Sequence, residues 1–222
     1  KRHRNPVYAA MVESVDHSVG RIMSKLEQLG IADDTVVFFT SDNGGHGRIT
    51  SHLPLRGNKG NFYEGGIRVP LIVRWPGVVK PGSQCKVPVI STDFFPTILE
   101  IAGLPSRPEC HLDGVDMVPL LKGQRSIDRD ALYWHYPNYI GAGHPGGARP
   151  CSVVRKGDWK LFESLEDKRL ELFDLSKDLG ETNNLAAVMP EKAGLLKNLL
   201  DDWRKEAGVQ MPRINPDFQS KK

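Results

Sequence analysis

Much of the familiar catalytic vocabulary is missing from these 222 residues. There is no Gly-x-Ser-x-Gly elbow, no Walker loop and no His-Glu-x-x-His pair, which argues against the common serine-hydrolase, P-loop and zincin classes. The 3 cysteines, Cys85, Cys110 and Cys151, are far apart and none lies in a Cys-x-x-Cys pattern. That excludes a zinc finger or dithiol redox centre and leaves open either one disulfide plus a free thiol or three separate thiols. No apolar run approaches the ~20 residues of a membrane span. Net charge is only +3, and the one tight basic cluster is Lys1-Arg2-His3-Arg4. A nucleic-acid surface normally carries a longer basic stripe with interleaved aromatics, so neither a membrane span nor nucleic acid is expected.

What is present reads as two kinds of chain. Residues 6 to 30 place Tyr8, Met11, Val12, Val15, Val19, Ile22, Met23, Leu26 and Leu29 at helical spacing, with Gly30 as a natural stop. Thr35 to Thr40 is an unbroken β-branched and aromatic run. Lacking alternation, it fits a strand covered on both faces, as in a parallel sheet. Val69 to Trp75 is a second apolar strand. Ser91 or Thr92 can cap a helix through Gly103, with Phe94, Phe95, Ile98, Leu99 and Ala102 facing inward. From about residue 126 the pattern changes. Leu132–Tyr136, Ser152–Lys156, Trp159–Ser164 and Leu170–Leu175 are short strand candidates joined in part by Gly157-Asp158 and Glu166-Asp167 turns, an antiparallel meander. Pro190 opens a last helix with Leu195, Leu196, Leu199 and Trp203 on one face, and the tail from Pro212 is expected to lie along the surface. The fold class is therefore α/β over residues 1–125, plus a small α+β subdomain over 126–222. Two parallel strands rarely stand alone, so the α/β part is expected to be the C-terminal piece of a larger sheet.

Residues 41 to 66 carry the chemistry. Asp42 and Asn43 directly follow the first strand, where open α/β sheets collect their ligands. Their oxygens suit Ca²⁺ or Mg²⁺, although Asp-Asn-Gly-Gly taken alone is also a common turn. Lys59, flanked by Gly57 and Gly60, offers a compact ammonium to an oxyanion. Glu64 and Arg68 read as a structural ion pair. His46 and His52 flank the same loop and are candidates for substrate contact or leaving-group assistance. His135, in an aromatic strand with Tyr133 and Trp134, is a candidate sugar contact or a core residue, and His144 is a candidate for a substrate lid.

Taken in order, these segments resemble the sulfatase family of the alkaline-phosphatase-like superfamily. The matching stretches are Tyr8 to Asp16, Thr35 to Gly45, Gly57 to Pro70, Trp75-Pro76-Gly77, Asp93 to Thr97, Arg155 to Leu161 and Leu170 to Leu175. The resemblance implies part of an alkaline-phosphatase-like mixed sheet flanked by helices, and a sulfuric ester hydrolase. It implies Asp42 and Asn43 as calcium ligands and Lys59 as a sulfate ligand with a catalytic role. His46, His52 and His135 would be substrate contacts. The family's nucleophile is a formylglycine made from a Cys/Ser-x-Pro-x-Arg motif. That motif does not occur here, so the formylglycine is expected upstream of this chain, in a missing N-terminal part of the same protein, and the chain alone is expected to be inactive. A sulfated small molecule or glycan is the implied substrate, with Arg48, Tyr133 and Trp134 as further sugar contacts, and a periplasmic or secreted setting is implied by resemblance only. Two alternatives remain: a phosphodiesterase or phosphonate hydrolase of the same superfamily, and a non-catalytic degenerate protein that keeps the anion pocket.

Overall fold

The computed structural model describes residues 5–139, 149–213 and 215. Its elements, in chain order, are α1 (Pro6–Gln28), β1 (Val37–Thr40), α2 (Glu64–Ile67), β2 (Leu71–Arg74), α3 (Phe94–Ile101), α4 (Val118–Leu121), β3 (Leu132–Tyr136), β4 (Cys151–Lys156), β5 (Trp159–Ser164), β6 (Leu170–Asp174) and α5 (Pro190–Glu206). Short 3₁₀ turns occupy Ser91–Asp93 and Pro108–Cys110. The chain divides into two compact units that interleave in sequence. Residues 4–41 and 70–130 form one, and residues 42–69 and 131–222 form most of the other.

In the first unit, α1 starts where local chemistry says it should. The Asn5 side chain accepts the Tyr8 amide at 3.0 Å, and Pro6 sits at the first helical position. β1 and β2 pair antiparallel, with Val37 opposite Arg74 and Thr40 opposite Leu71. This corrects the parallel arrangement expected from the apolar run: lack of alternation reports burial, not strand direction. Nor is β1 covered on both faces within this chain, since Phe39 is 37% exposed. In α3 the expected inward face is also wrong. Phe95 and Ile98 are 45% and 53% exposed, and Pro96 and Thr97 are buried instead. The reason is Asp93. Fully buried, it accepts the amides of Ile90 (2.8 Å) and Val115 (3.0 Å) and pairs with Arg129. Asp93 rather than Ser91 or Thr92 therefore braces the helix start, and this turns the Asp93-Thr97 edge inward.

The second unit is built on the meander β3-β4-β5-β6, antiparallel throughout. One face packs on α5: Val154, Leu161 and Leu172 meet Ala193, Leu196 and Leu200, and Tyr133 stacks on Trp203 at 4.8 Å. Leu195, expected on that face, is 66% exposed, because the stripe runs through Ala193, Leu196, Leu200 and Arg204. The other face carries Val153 and Phe162, packed against Phe62, Tyr63, Trp134 and Tyr136. The run Gly141-Ala142-Gly143-His144-Pro145-Gly146 has Gly-x-Gly-x-x-Gly spacing, but its flanking strands β3 and β4 are antiparallel neighbours, not the βαβ unit a dinucleotide site requires. His144 and its proposed lid, and most of the tail beyond Arg213, lie outside the described residues.

All three cysteines are free thiols; Cys85 and Cys110 are exposed and Cys151 is buried. Burial pushes the Cys151 thiol up to about 12, only partly offset by Lys160. At pH 8 its thiolate fraction is therefore roughly 1000-fold below that of an exposed cysteine. Iodoacetamide at pH 8 is expected to label Cys85 and Cys110 and to spare Cys151 until denaturant is added, as read by peptide mass spectrometry. Rapid native labelling of Cys151 would contradict the packing of β4.

Candidate active site

Two loops of the second unit meet back to back. The first, from Asp42, leaves the end of β1. The second runs from Arg56 to Gly66. The Gly44 amide donates to the Gly66 carbonyl at 2.9 Å, and the Lys59 amide donates to the Gly45 carbonyl at 3.0 Å. These two bonds tie the backbone that follows Asp42-Asn43 to the backbone at Lys59 and Gly66. The contact requires glycine on both sides. A Cβ on Gly44 would overlap the Gly65 carbonyl oxygen and lie 2.9 Å from the Gly66 Cα. One on Gly65 would lie 2.5 and 2.6 Å from the Gly57 and Arg56 carbonyl oxygens.

Asp42 and Lys59 are exposed, and among the described residues neither side chain is spent on a hydrogen bond or ion pair. Asn43 is half-buried beside them. The donor set fits a hard cation: one carboxylate and one amide oxygen on a turn tight enough to present both. It is only part of one. No group of three or more His, Cys, Asp or Glu that could hold a metal occurs among the described residues, and Ca²⁺ takes six to eight oxygens.

The histidines part company. His52 is half-buried with its ring against the first loop, since a Cβ on Gly45 would come 2.7 Å from His52 Nε2. His46 is exposed, and its Nδ1 accepts the Arg48 amide at 3.3 Å. Both belong to this loop cluster. His135 does not. Its Nε2 donates to the Gln210 carbonyl at 2.9 Å, so its Nδ1 accepts from the Ser152 hydroxyl at 2.7 Å. Strand alternation puts it on the α5 face, the opposite side of the sheet from Phe62 and Tyr63, where its ring nitrogens are used structurally. Its neighbour Tyr133 faces α5 as well, whereas Trp134 faces the loop side.

Beneath the loops lies a layer that the sequence did not announce. Lys160, fully buried on β5, places its Nζ 3.0 Å from Glu64 Oε1 and 2.8 Å from Glu181 Oε1. Glu64 also meets Arg155 at 3.4 Å and, as expected, Arg68 at 3.5 Å. Alongside, Arg56 pairs with Glu171 at 3.0 Å and lies 3.8 Å above the Tyr63 ring, which stacks on Phe162 at 5.0 Å. Burial, and then the Glu171 carboxylate that accepts its hydroxyl at 3.0 Å, hold the Tyr63 phenol far above its ordinary range. Burial likewise raises Glu181 against the opposing pull of Lys160. The only signal in the sequence for Lys160 was its place in a strand, alternating with Leu161.

Comparison with known proteins follows this geometry. The family model described as Sulfatase matches residues 2–104, and the one described as N-sulphoglucosamine sulphohydrolase, C-terminal, matches residues 58–206. A sulfatase of Formosa agariphila is 41% identical over 225 aligned residues, covering 91% of this chain and 40% of the relative. The structure of BT4656 in complex with its substrate D-glucosamine-2-N,6-O-disulfate superposes with a TM-score of 0.74 at 30% identity, covering 89% of this chain and 40% of that one. A phosphonate monoester hydrolase of Agrobacterium radiobacter gives 0.68 at 28% identity, covering 90% and 41%. The chain thus spans about 40% of the length of the relatives it matches.

The glycine contact can be checked directly. Gly44→Ala is expected to lower stability by about 1–3 kcal/mol in urea denaturation, through overpacking. Gly20→Ala, in the open middle of α1 where a Cβ meets nothing within 4 Å, is expected to raise it by about 0.5–1 kcal/mol. Equal effects at both positions would mean that the two loops do not approach as described.

Proposed function

The chain belongs to the sulfatase family, and from that premise we propose that it is the C-terminal part of a sulfuric ester hydrolase. In this reading Asp42 and Asn43 supply part of a calcium site, with magnesium as the alternative ion, and Lys59 binds the sulfate. His46 and His52 line the substrate side; His135 is left to a structural role. The observation that supports this reading is the pair of backbone bonds, Gly44 to Gly66 and Lys59 to Gly45, that joins the loop carrying Asp42 and Asn43 to the loop carrying Lys59.

The chemistry asks for this arrangement. Cleaving a sulfate ester moves negative charge onto the leaving oxygen. A bound cation would supply electrostatic stabilisation of that charge. What this chain itself would contribute is the ammonium of Lys59 on a tethered backbone and the oxygens of Asp42 and Asn43. The nucleophile, a formylglycine, and the remaining metal ligands would come from the N-terminal part of the intact protein. A sulfated sugar is the proposed substrate class: the complex of BT4656 with a sulfated glucosamine supports it, and Arg48 and Trp134 are candidate sugar contacts on this chain. An exported, periplasmic or secreted setting belongs to the same proposal. Among the described residues no helix is long and apolar enough to cross a membrane.

The likeness to a phosphonate monoester hydrolase favours a second reading, hydrolysis of a phosphonate ester on the same scaffold. The intact protein decides between them. It is expected to hydrolyse 4-nitrophenyl sulfate in preference to 4-nitrophenyl phenylphosphonate, to lose activity on chelation and to regain it with calcium. Lys59→Ala is expected to cut kcat/KM for the sulfate ester by roughly 100- to 1000-fold, the scale of losing one preorganised charge-stabilising group. Preference for the phosphonate would establish the second reading, and wild-type turnover by Lys59→Ala would sink the role given to that lysine. An intact protein that binds inorganic sulfate without hydrolysing either ester would be a degenerate anion-binding member of the family.

A further inference from the structure

The geometry points to Glu181 as the positioning residue of the Lys59 loop, acting with Lys160 from the far side of the sequence. Glu181 is fully buried and sits at φ +51, a left-handed backbone that non-glycine residues seldom adopt. Such a conformation persists only where the surroundings over-determine it, and it flags a functional constraint. Here the surroundings do so. The Glu181 amide donates to the Asp178 carbonyl at 3.1 Å. The Asp178 carboxylate accepts the amides of Thr182 and Asn183, both at 2.8 Å.

Held this way, Glu181 grips the loop at both ends. Its backbone carbonyl accepts from the Arg56 guanidinium at 2.9 Å, where the loop begins. Its Oε2 accepts the Glu64 amide at 2.7 Å, where α2 begins. Its Oε1 lies 2.8 Å from Lys160 Nζ, which reaches Glu64 Oε1 in turn. The loop base is then closed by the Gly65 amide on the Arg56 carbonyl at 2.7 Å. Lys59 lies between these fixed ends, and its own amide is tied to Gly45. A loop clamped at both ends by one buried residue holds the backbone from which Lys59 projects, and productive geometry of such a group is sensitive to displacements of an ångström. Tyr63 orients the same loop by stacking on Phe162, meeting Phe173 edge-on and hydrogen-bonding Glu171, but none of these contacts holds the Glu64 amide.

This assignment rests on Lys59 as the sulfate ligand, and the test separates the two. In the intact protein, hydrogen exchange of the 56–66 segment is followed by mass spectrometry, and inorganic sulfate binding by calorimetry. Glu181→Ala is expected to speed exchange across 56–66 by about tenfold or more, as local opening becomes easier, while leaving the β4–β5 hairpin protected. It is also expected to weaken sulfate binding and to raise KM more than it lowers kcat. Glu181→Gln keeps an acceptor oxygen for the Glu64 amide and is expected to restore most of the protection. If Glu181→Ala fails to fold, Glu181→Gln and Arg56→Gln are compared instead. Arg56→Gln removes the entry grip together with the Glu171 ion pair and the cation on Tyr63, but keeps the Glu181 bond to the Glu64 amide, and is expected to loosen 56–60 more than 61–66. Unchanged exchange across 56–66 in a folded Glu181→Ala protein, or in Arg56→Gln where it is the variant used, overturns the clamp. Faster exchange in a protein whose sulfate binding is indifferent to Lys59→Ala upholds the clamp and overturns the sulfate role of the lysine.

Discussion

A single ammonium beneath the surface organises the second unit. Lys160 is fully buried, and its charge partners among the described residues are Glu64 and Glu181, each within 3.0 Å. A lone buried charge is far too costly to keep, so each of the three groups exists in its place only because the others do. Removing one partner of such a cluster typically costs about 3–5 kcal/mol, whereas the net worth of the intact cluster is small. The cluster is therefore better understood as specifying a geometry than as supplying stability. What it specifies is the seat of the Tyr63-Glu64-Gly65-Gly66 turn on β5, and hence where the preceding lysine loop lies.

From that seat the rest of the site follows by backbone contact alone. Gly65 and Gly66 have no side chains to hold the loops apart, and Gly44 can approach them for the same reason. The exposed groups at the rim, Asp42 and Lys59, need no tethers of their own, because their backbones are fixed by neighbours. Charged groups beneath the loops are buried and paired, and those at the rim are exposed. This division explains why the sheet tolerates such different faces. The α5 side is a conventional apolar core around Leu161, Leu172 and Leu200. The loop side mixes Phe162, Phe173 and Tyr63 with Lys160, Glu171 and Arg155, since it must accept polar backbone as well as side chains.

Period and punctuation made most of the elements legible in the sequence. Helical spacing and Gly30 marked α1, Gly157-Asp158 turned β4 into β5, and Pro190 opened α5. The candidate rim residues were found from local signals too, a strand-end Asp-Asn and a glycine-flanked lysine. What stayed hidden was non-local. The direction of β2 against β1 depends on chain path, not composition. The inward edge of α3 was set by the buried carboxylate of Asp93, which an apolar-periodicity argument counts as solvent-facing. Lys160 and Glu181 are separated from Glu64 by 96 and 117 positions, and a charged residue is read as exposed until its partner is known. His135 misled for the converse reason: its aromatic neighbours suggested a sugar wall, while strand alternation turned it toward Ser152 and Gln210.

If Asp42 and Asn43 hold a cation as proposed, they do so as a minority of its ligands. Two oxygen donors cannot strip the hydration shell from Ca²⁺ by themselves, since the ion requires six or more ligands. Asp42 and Asn43 would then contribute affinity only once other donors are in place, and their own arrangement must survive until that happens. An exposed aspartate beside an exposed lysine, unsupported, would fall into a surface ion pair worth little and geometrically loose. The backbone bonds from Gly44 and Lys59 and the buried cluster under Glu64 constrain their backbones without consuming either side chain. Under the proposed reading, a backbone fixed in this way would lower the reorganisation needed when a ligand and the remaining donors arrive, the condition under which fixed charges contribute most to a charge-developing transition state.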